Sequence, residues 1–172
     1  SCHGSGRQMK SKRLQVTVPA GINEGEMLTL RGEGEPGLRG GPFGDLYIEI
    51  HIRPHPVFVR EGNQTYCEVP ITFARAALGE TIEVPTIDGK ESFKLKEGTQ
   101  PGDVFTIRGK GIPYINRPNA RGDHKFRVLI EVPRYLSDEQ KDILRRFDDS
   151  CTEQHYQKRR GFFDKIKNIF TE

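Results

Sequence analysis

The sequence has little that marks a secreted, membrane-spanning or catalytic protein. Three cysteines, Cys2, Cys67 and Cys151, are scattered over 172 residues. So sparse and odd a set is a poor disulfide framework, and it favours a reducing, cytoplasmic compartment. No apolar run approaches the roughly 18 residues that a membrane-spanning helix needs. The opening Ser1-Cys2-His3-Gly4 lacks the form of a signal peptide. Charge of one sign is also scarce: 27 basic against 24 acidic residues leave a net +3. Such a balance argues only weakly for nucleic acid, because phosphate binding needs clustered Lys and Arg. His3, His51, His55, His124 and His155 show no metal-ligand spacing with one another or with a cysteine. No nucleophile elbow or nucleophile–base signature appears, so nothing in the sequence asks for an enzyme.

What is present is enough for a folded chain rich in short strands. Leu, Ile, Val and Phe make up 25% of residues, above the roughly 20% below which chains tend to disorder. Gly and Pro make up 17%, which suits strands joined by tight turns.

Two stretches repeat. Gly21, Gly25-Glu26 and Leu30-Arg31-Gly32-Glu33-Gly34 match Gly98, Gly102-Asp103 and Ile107-Arg108-Gly109-Lys110-Gly111 at an offset of 77. Gly44-Asp45 matches Gly122-Asp123 at an offset of 78. An alternating run follows each pair. Leu46, Ile48, Ile50 and Ile52 form the apolar phase of the first, and Phe126, Val128, Ile130 and Val132 that of the second. Period two predicts strands with one buried face, and glycines at fixed offsets mark turns.

The second unit carries more. Tyr66–Ile71 reads as a strand with Cys67 on its core phase, and Phe73–Leu78 as a short helix stopped by Gly79. Thr81–Val84 reads as a strand, Asp88-Gly89 as a hairpin turn, and Phe93–Leu95 as the returning strand. Only thirteen residues precede Leu14 in the first unit. The expectation is that this unit has lost its opening strand–helix–strand and that the chain is a piece of a longer protein.

The C-terminal stretch turns helical. Ser137-Asp138-Glu139-Gln140 has the form of a capping box, followed by Ile143, Leu144 and Phe147 at helical spacing. A polar link from Asp148 to Arg160 leads to Phe162, Phe163, Ile166, Ile169 and Phe170, one apolar face on a helix of about ten residues. So short a helix is marginal alone and must dock, either on its own chain or on a twin copy.

Three motifs are read as structural. Gly32–Gly37 fits a dinucleotide-binding glycine pattern, but Gly40, Gly41 and Pro42 leave no room for the helix it requires. Arg121-Gly122-Asp123 spells an adhesion tripeptide, yet the repeat accounts for its Gly-Asp. Lys10, Lys12 and Arg13, and Lys158 to Arg160, are short basic runs without interleaved aromatics. They support only the alternative of a nucleic-acid-binding β-domain protein.

Taken in order, several pieces resemble the C-terminal half of type I DnaJ proteins, the 40-kDa heat-shock co-chaperones. They are Cys2-His3-Gly4-Ser5-Gly6, Val18-Pro19-Ala20-Gly21, Leu30–Gly34, Gly44–Tyr47, His55-Pro56-Val57-Phe58, Glu68–Ile71, Ala76–Gly79, Glu83–Thr86 and Arg108–Gly111. The resemblance implies a mainly β chain of two tandem small sandwich- or barrel-like domains, the first truncated, with a C-terminal helical dimerisation segment. Residues 1–13 would be the end of the zinc region, 14–56 the client-binding domain, 57–134 the second domain and 135–172 the dimerisation segment. It implies that unfolded polypeptides lie along a strand edge and place an apolar side chain in a pocket. Leu14 and Ile48, with Val16 and Ile50 on the same strand phases, would line that pocket; ordinary strand-core positions are the other reading of Leu14 and Ile48. Phe162, Phe163, Ile166, Ile169 and Phe170 would join two protomers. Cys2 would be a zinc ligand only in the full-length protein, and no cofactor is expected in this piece. The J-domain signature His-Pro-Asp is absent, since His55-Pro56 is followed by Val57. Delivery of clients to the 70-kDa chaperone DnaK would therefore belong to the full-length protein.

Overall fold

The structure, a computed structural model, describes residues 11–115 and 117–170. It is mainly β with a helical end, in two compact units that divide between Glu131 and Val132.

The repeat is present in three dimensions. Strands β1 (Met27–Leu30) and β2 (Leu46–Glu49) pair antiparallel, Met27 opposite Glu49 and Leu30 opposite Leu46. Their counterparts are β7 (Val104–Ile107) and the start of β10 (His124–Glu131), paired in the same register from Val104–Arg127 to Ile107–His124. The turns match bond for bond. The Gly32 amide donates to Asp45 Oδ1 at 2.9 Å, and the Gly109 amide to Asp123 Oδ1 at 2.9 Å. The amides of Gly34 and Gly111 donate to the carbonyls of Gly44 and Gly122, both at 2.8 Å. A Cβ on Gly34 would stand 2.6 Å from the Asp45 carbonyl oxygen, and one on Gly111 2.7 Å from that of Asp123. Only a residue without a side chain lets the two segments approach this closely.

Between β2 and β7 lies what the second repeat has in addition. Strand β3 (Val59–Glu61) turns into β4 (Gln64–Thr72). Helix α1 (Phe73–Leu78) follows, capped by the Thr72 hydroxyl and ended by Gly79 in the left-handed region at φ 70°. The hairpin of β5 (Thr81–Thr86) and β6 (Gly89–Lys94) comes next. Strands β8 (Pro113–Tyr114) and β9 (Arg117–Arg121) form a small outer hairpin. The main sheet has the order β3-β4-β10-β7, with β4 and β10 parallel from Thr65–His124 to Thr72–Glu131.

That parallel pair builds the core. Cys67, Val69 and Ile71 alternate inward on β4, beside Phe126 and Val128 on β10. Ala76, Ile82, Val84 and Leu95 cover them, and Phe93 meets Phe126 edge-on with centroids 5.0 Å apart. His124 is also fully buried, its Nδ1 2.8 Å from Thr65 Oγ1 and its Nε2 3.4 Å from Cys67 Sγ. Burial pushes the imidazole below its usual value and the thiol above its own, so both are held neutral.

In the second unit, α2 (Asp138–Ser150) starts with the expected capping box of Ser137 and Gln140, and α3 spans Gln157–Phe170. Both helices run further into the expected polar link than apolar spacing suggested. They are separated by Cys151 and Thr152, a one-turn 3-10 helix at Glu153–His155 held by the Thr152 hydroxyl and the His155 ring, and Tyr156. Two strands are shorter than their apolar phase. Ile52 lies beyond β2 and is 38% exposed, and Val132 lies beyond β10 and is 72% exposed. Neither has a ladder partner to continue the strand.

Stability is expected to fall with pH through His124. The native state keeps the ring neutral while the unfolded chain protonates it below about pH 6.5. The His124 contribution is therefore complete above that pH and is lost as pH falls toward the depressed native value. Replacing His124 by Leu, the residue of its repeat counterpart Leu46, leaves the Thr65 hydroxyl unpartnered and is expected to cost about 1–3 kcal/mol at neutral pH. It should also flatten the decline in urea-unfolding free energy between about pH 7 and about pH 5.5.

Candidate functional site

The first repeat has the hairpin of the second but lacks, among the described residues, the strands that cover it. Cross-strand partners Leu28 and Ile48, and Leu30 and Leu46, share one face of β1–β2, and all four are half-buried. Met27, Thr29, Tyr47 and Glu49 form the exposed opposite face. By the repeat offsets, Ile48 corresponds to Phe126 and Ile50 to Val128, both 0% exposed in the second repeat. Ile50 is half-buried and continues the pairing just past β2, its amide donating to the Glu26 carbonyl at 2.9 Å. The same apolar pattern is thus a closed core in one repeat and an open face in the other.

Leu14 and Val16 were expected on a strand; the structure places them on segment 11–19, which has no strand pairing. Their burial still alternates, with Leu14 and Val16 half-buried and Arg13, Gln15 and Thr17 exposed. The counterpart of this segment is β6, which gains its ladder from β5. No described strand stands in the place of β5 beside Leu14, so the segment stays extended but unpaired. Val16 and Ile48 correspond to Phe93 and Phe126, which pack on each other in the second repeat. Lys12 anchors the segment to the hairpin turn through Glu33, at 2.6 Å.

Sequence reading passed over Leu28, Leu30 and Leu46 as site residues. The repeat offsets were the available signal, since they map these three onto Phe105, Ile107 and His124 around the closed core.

The motifs read as structural are occupied by the fold. The glycine-rich run leads only into a three-residue turn, Leu38–Gly40, and its Gly32 and Gly34 amides are already bonded. Arg121 pairs with Asp88 at 2.7 Å, and Asp123 holds the Gly109 amide. His51 is solvent-exposed between Glu24, at 3.1 Å, and Glu49, at 3.8 Å, which raise its pKa.

No cluster of three His, Cys, Asp or Glu side chains suited to a metal occurs among the described residues. Cys2 lies outside them. Cys67 has a single nitrogen neighbour, His124, and the pair is far from the four-donor set of a structural zinc.

In the second unit Phe162 is 59% and Phe163 48% exposed, their rings edge-to-face at 5.5 Å, and Ile166 is half-buried. The side chains of Ile169 and Phe170 lie outside the described residues. No described side chain of this unit is buried.

A doubled glycine-pinned hairpin, closed into a core once and left open once, followed by two amphipathic helices, defines a β-rich tandem-repeat protein with a helical end. Residues 5–133 match the family model "DnaJ C terminal domain", and residues 139–172 match "Chaperone protein DnaJ C-terminal region". The chain belongs to the DnaJ C-terminal domain family. It is 52% identical over 168 residues, 98% of its own length, to the "Chaperone protein DnaJ" of Acetivibrio thermocellus. It is 51% identical over 164 residues, 95% of its length, to that of Ruminiclostridium cellulolyticum, and 48% over 161 residues, 94%, to that of Clostridioides difficile. These matches cover 43%, 43% and 42% of the respective relatives.

The two faces are expected to respond differently to truncation. Phe126→Ala opens a cavity in a closed core and should cost about 3–5 kcal/mol. Ile48→Ala acts on a face still in contact with water and should cost less than about 1.5 kcal/mol in chemical denaturation.

Proposed function

We propose that this chain is a non-enzymatic co-chaperone piece that holds apolar segments of unfolded polypeptides and dimerises through its C-terminal helix. The carrying observation is the apolar face of the β1–β2 hairpin, on which Leu46, Ile48 and Ile50 are half-buried while their counterparts His124, Phe126 and Val128 in the second repeat are 0% exposed. An extended client segment adds to the sheet edge through backbone hydrogen bonds, which are indifferent to sequence. It places a Leu-like side chain against Leu14, Val16, Ile48 and Ile50. Residues 14–56 form the client-binding domain and 57–134 the second domain. In the longer protein, which works in the cytoplasm, clients pass to the 70-kDa chaperone, and zinc is held by a module to which Cys2 belongs.

Anisotropy of a labelled, extended Leu-rich peptide tests this reading. Binding is expected to saturate, to survive high salt, and to weaken at least about five-fold on Leu14→Ala, about 1 kcal/mol. Absence of saturable binding would overturn it. Collapse at high salt with competition by oligonucleotides would favour the nucleic-acid alternative. In each run one basic group is paired within the chain, Lys12 with Glu33 at 2.6 Å and Arg160 with Asp164 at 3.8 Å.

The dimer reading rests on the exposed Phe162 and Phe163 and the half-buried Ile166, with Ile169 and Phe170 included by their helical spacing in the sequence. Two weak client sites on one dimer gain from effective concentration. Replacing Phe163 and Ile166 together by Asp is expected to yield monomers by light scattering. A mass unchanged from a wild-type dimer would rule this helix out as the interface.

A further inference from the structure

One turn of the first repeat docks on the second repeat, whereas the matching turn of the second repeat docks on its own helix α1, the Gly98 and Thr99 amides donating to the Ala77 and Ala76 carbonyls, both at 3.1 Å. Residues 19–24 correspond to residues 96–101 at the offset of 77. Both turns close alike: the Ile22 amide donates to the Pro19 carbonyl at 3.3 Å, and the Thr99 amide to the Lys96 carbonyl at 3.2 Å. They differ where the first meets the second repeat. A Cβ on Gly98 would meet nothing within 4 Å, whereas one on Gly21 would fall on the Pro113 carbonyl oxygen, well inside contact distance. Both turns bury the same position, but Thr99, 4% exposed, turns its hydroxyl back on the Lys96 carbonyl at 2.6 Å, while its counterpart Ile22, 6% exposed, is apolar.

The socket for this turn is built from β3, the β3–β4 turn and β8. Arg60 on β3 donates Nη1 to the Ile22 carbonyl at 2.8 Å, and Nη2 to the Gly21 carbonyl at 3.0 Å and Asn23 Oδ1 at 2.9 Å. Its Nε donates to the Gly62 carbonyl at 2.7 Å, which fixes the guanidinium from its own side. Asn63 Nδ2 holds the Pro113 carbonyl at 2.8 Å, the oxygen against which Gly21 packs. Glu24, at the end of the same turn, takes the Ile52 amide and so pins the start of the connection between repeats. A planar guanidinium with several donors in fixed directions is suited to lock three acceptors of one turn at once.

We infer that Arg60, seated between Gly21–Asn23 and Gly62, is the clamp of a rigid joint that sets the direction in which the first repeat presents its open apolar face. The joint follows from contacts within residues 19–63 and around Pro113, and holds whatever molecule occupies that face.

Spin labels at Thr29→Cys on β1 and Thr106→Cys on β7, both exposed sites, report the joint as a distance distribution. Cys2 and Cys151 are replaced by Ser, the buried Cys67 is kept, and labelled chains are diluted into an excess of unlabelled ones. The Arg60-containing chain is expected to give one narrow distribution. Arg60→Met, which keeps length and removes every donor, is expected to at least double its width. Gly21→Ala should do the same from the first repeat, leaving β3 and β4 untouched, so it decides the matter if Arg60→Met fails to fold. Gly98→Ala, the counterpart in open space, should leave the width as it was. Amide-exchange protection of β4 and β10 reports whether the second repeat stays folded. A width unchanged in Gly21→Ala and in folded Arg60→Met would overturn the inference. Peptide binding is a separate readout, and its absence would leave the distance result standing.

Discussion

Strand β10 has a ladder partner on each edge, parallel β4 on one and antiparallel β7 on the other, and the second repeat depends on that arrangement. With both edges paired, its backbone groups are satisfied without water, so its inward side chains can be buried completely. Phe126 and Val128 reach 0% exposure for this reason, and the aromatic contacts of Phe93 and Phe105 with Phe126 follow from it. Take away β4, α1 and β5, and what remains is a two-stranded ribbon with one apolar face. Isolated ribbons of this kind are marginal in water.

The first repeat is that remainder, among the described residues. Its Asp45–Gly32 clamp and its Gly34–Gly44 bond are as good as their counterparts. Turn chemistry therefore suffices to shape the hairpin, but not to bury Ile48 or Leu30. Tertiary attachment through Arg60 and the buried Ile22 ties this hairpin to a folded neighbour. On the function proposed above, the features that make the repeat poor at closing its own core are those that would receive another strand.

The C-terminal unit repeats this theme with helices. Its local signals are strong: a reciprocal capping box at Ser137 and Gln140, and acidic residues at the start of α2. They specify helices without supplying a core, and Ile143, Phe147, Phe162 and Phe163 remain about half exposed or more.

Much of this was legible in the residues. Strand phases, the Gly79 stop, the Asp88-Gly89 turn and the capping box are local, and their causes lie within a few residues of one another. The duplication was legible too, because turn glycines recur at offsets of 77 and 78. Of the site, the alternation of Leu14, Val16, Ile48 and Ile50 could be read, but not that segment 11–19 lacks a partner, since strand pairing depends on residues distant in sequence. The meeting of His124 with Cys67 and Thr65 lay beyond reach for the same reason: the parallel register of β4 and β10 joins residues 57 and 59 apart. The sequence by itself determined where chains turn, which side chains share a face and that one hairpin occurs twice. Only the tertiary structure decided how far each apolar face is buried and where the first copy is held against the second, because burial depends on what packs across a face, and that partner is set by three-dimensional topology.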